Sequence, residues 1–269
     1  MTMRCNEITP CSALRPFIDR YWCWTEEPSA PRRLPGTGHE LMLHFGTPWR
    51  ARALDQELLL PRAYVVTPRS KSWQNAAHGA VGFFAVRFRA GAFRHFCDES
   101  IALFADQIGE ASQIWKAGRT AWLQQALEAR DLPERVAAVE GGLLALLDRY
   151  RKQDDWLDEA VRRIYAGTPL GMLPSVVFSS ERTLLRKFKE GVGVTPKVFQ
   201  RLARFERTLR SLMLGRAHSY LPLALAGGYY DQAHFSKEFK RLVGETPQAY
   251  LMPKNFQAHF YFERRKAGV

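Results

Sequence analysis

Short runs of alternating apolar and polar residues fill positions 12–90, and a helical spacing replaces them afterwards. Residues 12–20, SALRPFIDR, read as a short helix or extended arm. Tyr21-Trp22-Cys23-Trp24 predicts a strand with Trp22 and Trp24 on one face. Residues 26–38 hold three prolines and two glycines and predict a loop. ELMLHFG at 40–46 is a strand ending in a turn, with Glu40, Met42 and His44 on one face and His39 opposite. Residues 49–60 carry weak strand signals, and Tyr64-Val65-Val66 a clearer one. In VGFFAVRFR at 81–89, Phe84, Val86 and Phe88 share a face, with Arg87 and Arg89 on the other. Many short strands between Pro/Gly turns predict a small barrel or sandwich. After Gly91, residues 92–96 and 100–109 predict short helices. Trp122, Leu123, Ala126 and Leu127 then follow helical spacing, and Pro133 opens a helix to about Lys152 with Val136, Val139, Leu143, Leu146 and Leu147 inward. Asp154 and Asp155 stand where they could cap a helix carrying Leu157, Val161 and Ile164.

The carboxyl-terminal pattern is more specific. In GYYDQAHFSKEFKRLVGETPQAY, at 228–250, Gly228 suits a tight turn and Asp231 an N-cap. Phe235 and Phe239 fall on the buried face of the following helix. Gln232, Ala233, Ser236 and Lys237 lie on the other face: an amide, a methyl, a hydroxyl and a cation suited to base edges and phosphates. Gly244 stops the helix, and Thr246-Pro247 starts the next. Residues 173–199, LPSVVFSSERTLLRKFKEGVGVTPKVF, repeat the layout. Phe188 matches Phe239, Gly193 matches Gly244, Thr195-Pro196 matches Thr246-Pro247 and Phe199 matches Tyr250, each pair 51 apart, while Leu173 and Leu223 are 50 apart. In this first copy Ser180 is the N-cap, Leu184 and Phe188 face inward, and Arg182, Thr183, Leu185 and Arg186 are available to DNA.

These residues resemble the DNA-binding domain of AraC/XylS-type transcription regulators over about residues 155–252. The resemblance implies two helix-turn-helix units joined by a long helix at 196–214, with both recognition helices entering successive major-groove segments on one face of double-stranded operator DNA. The first copy departs from the family pattern at Phe178, where Gly is usual, and at Pro174, where Ala is usual. Either its first helix starts at Pro174 or its turn differs. His234, common at its place in the family, reads as structural or backbone-contacting. The pieces YWCW, LPGTGHELMLHFG and VGFFAVRFRAGAF loosely resemble the cupin-like sensor domains that precede such tails; that likeness covers fold and not ligand. The expected fold is thus α+β: a sensor or dimerisation domain at 1–150, a small β-barrel followed by helices; an all-α DNA-binding domain at 155–252; and a basic tail at 253–269.

Charge strengthens this reading. The chain has 269 residues and a net charge of +12; residues 160–269 hold 19 Lys+Arg against 7 Asp+Glu, and residues 1–159 hold 20 of each. The whole excess lies where phosphate backbones would need it. Cys5, Cys11, Cys23 and Cys97 form no CxxC pair, the start MTMRCNEITPCS lacks the apolar centre of a signal peptide, and no long apolar run spans a membrane. A soluble, reducing, cytoplasmic setting is the expectation, with no membrane partner.

Catalytic signatures are missing from the sequence: no GxSxG, HExxH, P-loop or GxGxxG stands at a strand-to-helix junction. His39, Glu40, His44 and His78 lack the paired HxH spacing of a cupin metal site, so no metal, cofactor or catalytic residue is expected. Trp22, Trp24, Trp73 and Phe84 are candidates for lining an effector pocket, against the plainer reading of core aromatics. The expected function is sequence-specific transcription regulation, with RNA polymerase, a small-molecule effector and a second copy of the chain admitted as partners. Two alternatives stay open: an effector-independent regulator whose front half only dimerises, and an enzyme fused to a DNA-binding tail.

Overall fold

The computed structural model of the chain describes residues 4–25, 33–53, 56–77, 79–116, 118–214 and 220–250. Among the described residues, nine strands occupy the front. β1 (Arg4–Ile8), β2 (Ile18–Thr25), β3 (Glu40–His44), β6 (Ala63–Val66), β8 (Gly82–Phe88) and β9 (Ile108–Glu110) form an antiparallel sheet in the order β1-β2-β8-β3-β6-β9. β4 (Arg50–Ala53), β5 (Gln56–Leu59) and β7 (Gln74–Ala76) form a second sheet in the order β5-β4-β7.

The period-two side-chain alternation of strands divides the large sheet into two apolar faces. Trp22, Trp24, Met42, Tyr64, Phe83 and Ala85 face the small sheet and pack with Trp49, Ala51 and Leu60. Tyr21, Cys23, Leu41, Phe84, Val86 and Phe88 face the other way, onto α2 (Ala121–Glu128) and α3 (Leu132–Tyr150). The expected faces of β2, β3 and β8 therefore hold. Both faces are covered, so the sheet strands are nearly all apolar inside.

Residues 100–109 differ from the expected helix. Only a single 3-10 turn, Ile101–Phe104, forms; the chain then turns through Asp106, at φ 56°, into β9. The backbone groups on the free edge of β6 draw Ile108–Glu110 into a ladder, and that pairing outweighs a short helix. The 3-10 turn Ala92–Phe96 and the four-residue α1 (Ala111–Ile114) complete this region.

From α4 (Asp155–Ala166) onward the described chain is helical: α5 (Leu173–Val176), α6 (Glu181–Val192), α7 (Pro196–Leu214), α8 (Tyr220–Ala226), α9 (Gln232–Val243) and α10 (Pro247–Tyr250). Asp154 occupies the N-cap position of α4, but its side chain makes no capping bond. It pairs instead with the buried Arg94 guanidinium, which also binds Asp158 at 3.0 Å. Burial alone would lower the Arg94 pKa; the hydrogen bonds it donates to Asp158 and Asp154 outweigh that and hold the charge in place. Two apolar clusters support the helices. One gathers Leu157, Ile164, Leu184, Phe188 and Phe199 around α4 to α7; the other gathers Phe205, Leu209, Phe235, Phe239 and Tyr250 around α7 to α10. The expected basic tail at 253–269 lies outside the described residues, as does His78.

Candidate nucleic-acid interface

The two halves of the repeat are capped and stopped alike at their ends. Ser180 Oγ accepts from the Thr183 amide at 3.2 Å, and Asp231 Oδ1 accepts from the His234 amide at 2.6 Å. Each closes the first turn of a 12-residue helix, α6 or α9. Both helices stop at a glycine with φ 92°, Gly193 or Gly244, whose amide returns to the carbonyl four residues back. Thr195 Oγ1 and Thr246 Oγ1 then cap the helices that begin at Pro196 and Pro247, taking amides at 3.4 and 3.3 Å. The aromatic pairs Phe188–Phe199 and Phe239–Tyr250 lock the following helices, with ring centroids 5.3 and 5.8 Å apart.

The turns before these helices differ in sequence, yet each contains a residue with positive φ. Gly228 has φ 83°, and Phe178, where the repeat would place its match, has φ 49°. Pro174 falls in the first turn of α5, where its missing N–H costs nothing. Both sequence departures are thus absorbed: the short helix starts at Leu173, and Phe178 takes the left-handed turn itself.

The candidate readout residues lie where the spacing placed them. Arg182, Leu185 and Arg186 are exposed on α6 with Thr183 half-buried beside them; Gln232, Ala233 and Lys237 are exposed on α9 with Ser236 half-buried. The exposed Arg186 pairs with Glu190 at 3.1 Å, so it has an intrahelical partner to leave before it could reach a base. Ser180 and Asp231 spend their side-chain oxygens on capping. His234 Nδ1 accepts the Tyr230 amide at 3.4 Å, a structural role.

Sequence reasoning missed Glu238. It is buried on α9, binds Arg204 of α7 at 2.8 Å and accepts from the Tyr229 hydroxyl at 3.2 Å. Arg204 lies 4.4 Å from the Tyr229 ring centre. This polar knot fixes α9 against α7. The first copy has Lys187 at the matching place, so the repeat gave no sign of it.

The four effector-pocket candidates do not all converge. Trp22 and Trp24 lie in the core between the sheets, with Trp73 packed at its edge, whereas Phe84 faces the helices on the other side of the sheet. Alternation along β8 forces this, since Phe83 and Phe84 are neighbours in the chain. The core between the sheets also holds charge. Arg33 pairs with Glu40, and Arg87 binds Glu40 at 2.7 Å. Burial pushes the Glu40 carboxyl pKa up, but Arg33, Arg87 and Arg69 outweigh it and hold it far below the usual range. His44 Nε2 lies 3.3 Å from the Tyr64 hydroxyl. Among the described residues, no cluster of three or more His, Cys, Asp or Glu could hold a metal ion, and no helix is long and apolar enough to cross a membrane.

Comparison with known proteins agrees with the repeat geometry. The profile of a helix-turn-helix domain matches residues 175–252, and that of a domain of unknown function (DUF6597) matches residues 6–110. No curated protein matches the chain. Among solved structures, ToxT from Vibrio cholerae aligns over 93% of this chain and 97% of its own, at 11% identity and a TM-score of 0.48. A fatty-acid-bound form of wild-type ToxT gives 12% identity, 93% and 94% coverage and a TM-score of 0.45. The plu4264 protein from Photorhabdus luminescens covers 34% of this chain and 78% of its own, at 12% identity and a TM-score of 0.27. Overlaps this loose carry no argument about ligands. The motif match and the duplicated capping geometry together identify the carboxyl-terminal part of the chain as an AraC/XylS-type DNA-binding domain, the hallmark of a family of transcription regulators.

Proposed function

We propose that the chain is a sequence-specific transcription regulator whose helices α6 and α9 read two segments of one asymmetric operator. The observation that carries this reading is the matched geometry of the two units on one connecting helix. α7 has 19 residues, about 28 Å at 1.5 Å per residue. With a recognition helix at either end, that length suits adjacent major-groove segments about 34 Å apart. Arg182, Thr183, Leu185 and Arg186 would read one segment, and Gln232, Ala233, Ser236 and Lys237 the other, with Ser180 and Asp231 orienting the helix starts toward phosphates. In this reading residues 1–150 form a sensor or dimerisation domain and residues 155–252 the DNA-binding domain.

Binding-site selection on two double variants tests this. Replacing Arg182 and Arg186 with Ala should relax base preference in one half-site, and replacing Gln232 and Lys237 with Ala should relax it in the other. Each lost bidentate base contact costs about 1–3 kcal/mol, whereas a lost phosphate contact weakens all sequences alike. Loss of preference at the same base pairs in both variants, or at none, would refute the two-headed arrangement.

A further inference from the structure

The two recognition helices carry side chains of the same shape and different chemistry at their first position. α6 begins at Glu181 and α9 at Gln232. Ser180 and Asp231 stand directly before them as matching caps, so Glu181 and Gln232 occupy the same place in the two units. Both are exposed. A recognition helix meets base edges mainly with its amino-terminal residues, so this place faces the groove in both units. One unit presents an amide there and the other a carboxylate.

The fold itself makes little use of that carboxylate. Its i+3 and i+4 neighbours are Leu184 and Leu185, so helical spacing offers it no cation. Glu134, Glu159 and Glu190, also on helix surfaces, pair with Arg or Lys three or four residues away. Glu181 has no hydrogen bond or ion pair among the described residues. Capping does not need it: the reciprocal partner of Ser180 is Thr183, whose hydroxyl accepts from Ser180 Oγ at 2.9 Å. An acid in the first turn also suits the helix dipole. Yet α9 has no acid in its first turn and forms a helix of the same length behind the same kind of cap.

Toward DNA the carboxylate is costly. Phosphates repel it, and the helix around it is otherwise cationic on its surface, with Arg182, Arg186, Lys187 and Lys189. What it gains is discrimination, because an ionised carboxylate only accepts hydrogen bonds. In the major groove cytosine offers an amino donor and no acceptor of its own. Guanine offers two acceptors, thymine one, and adenine's amino group sits beside the acceptor N7. A carboxylate is therefore satisfied by one base and repelled by the other three.

We propose that Glu181 is a base-reading residue and that it accepts from the N4 amino group of a cytosine in the segment read by α6. Gln232, at the matched place on α9, reads adenine with the paired donor and acceptor of its amide. The two units thereby demand different bases at equivalent positions. That difference makes the operator asymmetric and fixes which way round the protein sits on it. The proposal rests on the reading of α6 and α9 as recognition helices, and it names the base at one position of that reading.

Binding-site selection from random duplexes with the full chain tests it, comparing the parent with E181A and E181Q; anisotropy on single-base variants of the selected site then gives affinities. The parent should require a cytosine at one pair of the segment that loses preference when Arg182 and Arg186 are replaced. The other bases there should bind at least about fivefold more weakly. E181A should level the four bases at that pair and leave the rest of the site unchanged. It should bind random-sequence DNA as tightly as the parent or more tightly, since a charge that phosphates repel is gone. E181Q should lose the cytosine requirement and favour adenine. Because E181Q keeps the side-chain shape, its result decides the matter where E181A is unstable. An acid that served only the helix start would leave both variants selecting the parent's sequence with the parent's strictness. That outcome, a preferred base other than cytosine at the affected pair, or a change confined to the Gln232 segment overturns the proposal and leaves the regulator reading intact. A parent chain that enriches no sequence refutes the regulator reading itself, and the proposal with it.

Discussion

Phe178 and Gly228 hold the same left-handed turn in the two helix-turn-helix units, at φ 49° and 83°, although only one of them is glycine. Phe178 is 96% exposed, so no packing offsets its strain. A β-carbon at Gly228 would meet only the Arg204 side chain, at 3.9 Å, so the cost of substitution there is conformational. Gly228→Ala should destabilise by about 1 kcal/mol, the left-handed cost for an L-residue. Phe178→Gly should cost nothing or stabilise slightly, because relief of strain offsets the entropy glycine adds to the unfolded chain. Denaturant midpoints at unchanged slope measure both. A large loss of stability in Phe178→Gly would show that the ring makes a contact that matters.

DNA affinity should depend steeply on salt. With roughly 6–10 phosphate contacts, affinity for an operator falls by about 10³–10⁵ between about 50 and 200 mM salt. The positive excess lies wholly within residues 160–269, so a fragment from Asp155 to Val269 should show nearly the slope of the full chain. Fluorescence anisotropy across a salt series gives both slopes, and a flat response contradicts the assignment.

Acid should unfold the front half early. Burial, helped by Arg87 and Arg69, brings His39 down to about 3, and burial with Arg33 beside it does the same to His44. Both rings are therefore neutral when folded, while in the unfolded chain they protonate near pH 6.5. The unfolded state binds the extra protons, so stability is complete above about pH 6.5 and is lost as pH falls from there toward about 3. Each histidine contributes a slope of about 1.4 kcal/mol per pH unit in that window. Glu40, held low by its arginines, adds a loss of the same sign at lower pH. Unfolding free energies measured from pH 7 to 5 should show a slope near that of two protons, and His39→Leu should remove about half of it.

Adjacent glycines in α3 should respond in opposite directions. A β-carbon at Gly142 would lie 2.1 Å from the Trp122 ring, while one at Gly141 meets nothing within 4 Å. Gly142→Ala should destabilise by about 1–3 kcal/mol through overpacking between α2 and α3. Gly141→Ala should stabilise by about 0.5–1 kcal/mol, the helix preference of Ala over Gly. Thermal melts of the two variants decide it; equal shifts would place Trp122 elsewhere.

The DNA-binding end was legible in the sequence because its determinants are local. A cap, a stop glycine and an i,i+4 apolar pair act within one turn of their own helix, and the repeat printed them twice at one spacing. Ser180, Asp231, Gly193, Gly244, Phe188 and Phe239 therefore do what their spacing announced. Faces within one strand were legible for the same reason, since alternation puts Trp22 and Trp24 together and Phe84 with Val86 and Phe88; that Trp22 and Phe84 look to opposite sides followed only from the β2–β8 register. Tertiary structure decided what lies between distant segments. Asp154 leaves its capping role for Arg94, 60 positions away. Glu238 is buried against Arg204, and Glu206 reaches Thr37 across 169 positions. A buried charge is stable only where its partners happen to converge, and convergence is a property of the folded chain that no local pattern encodes.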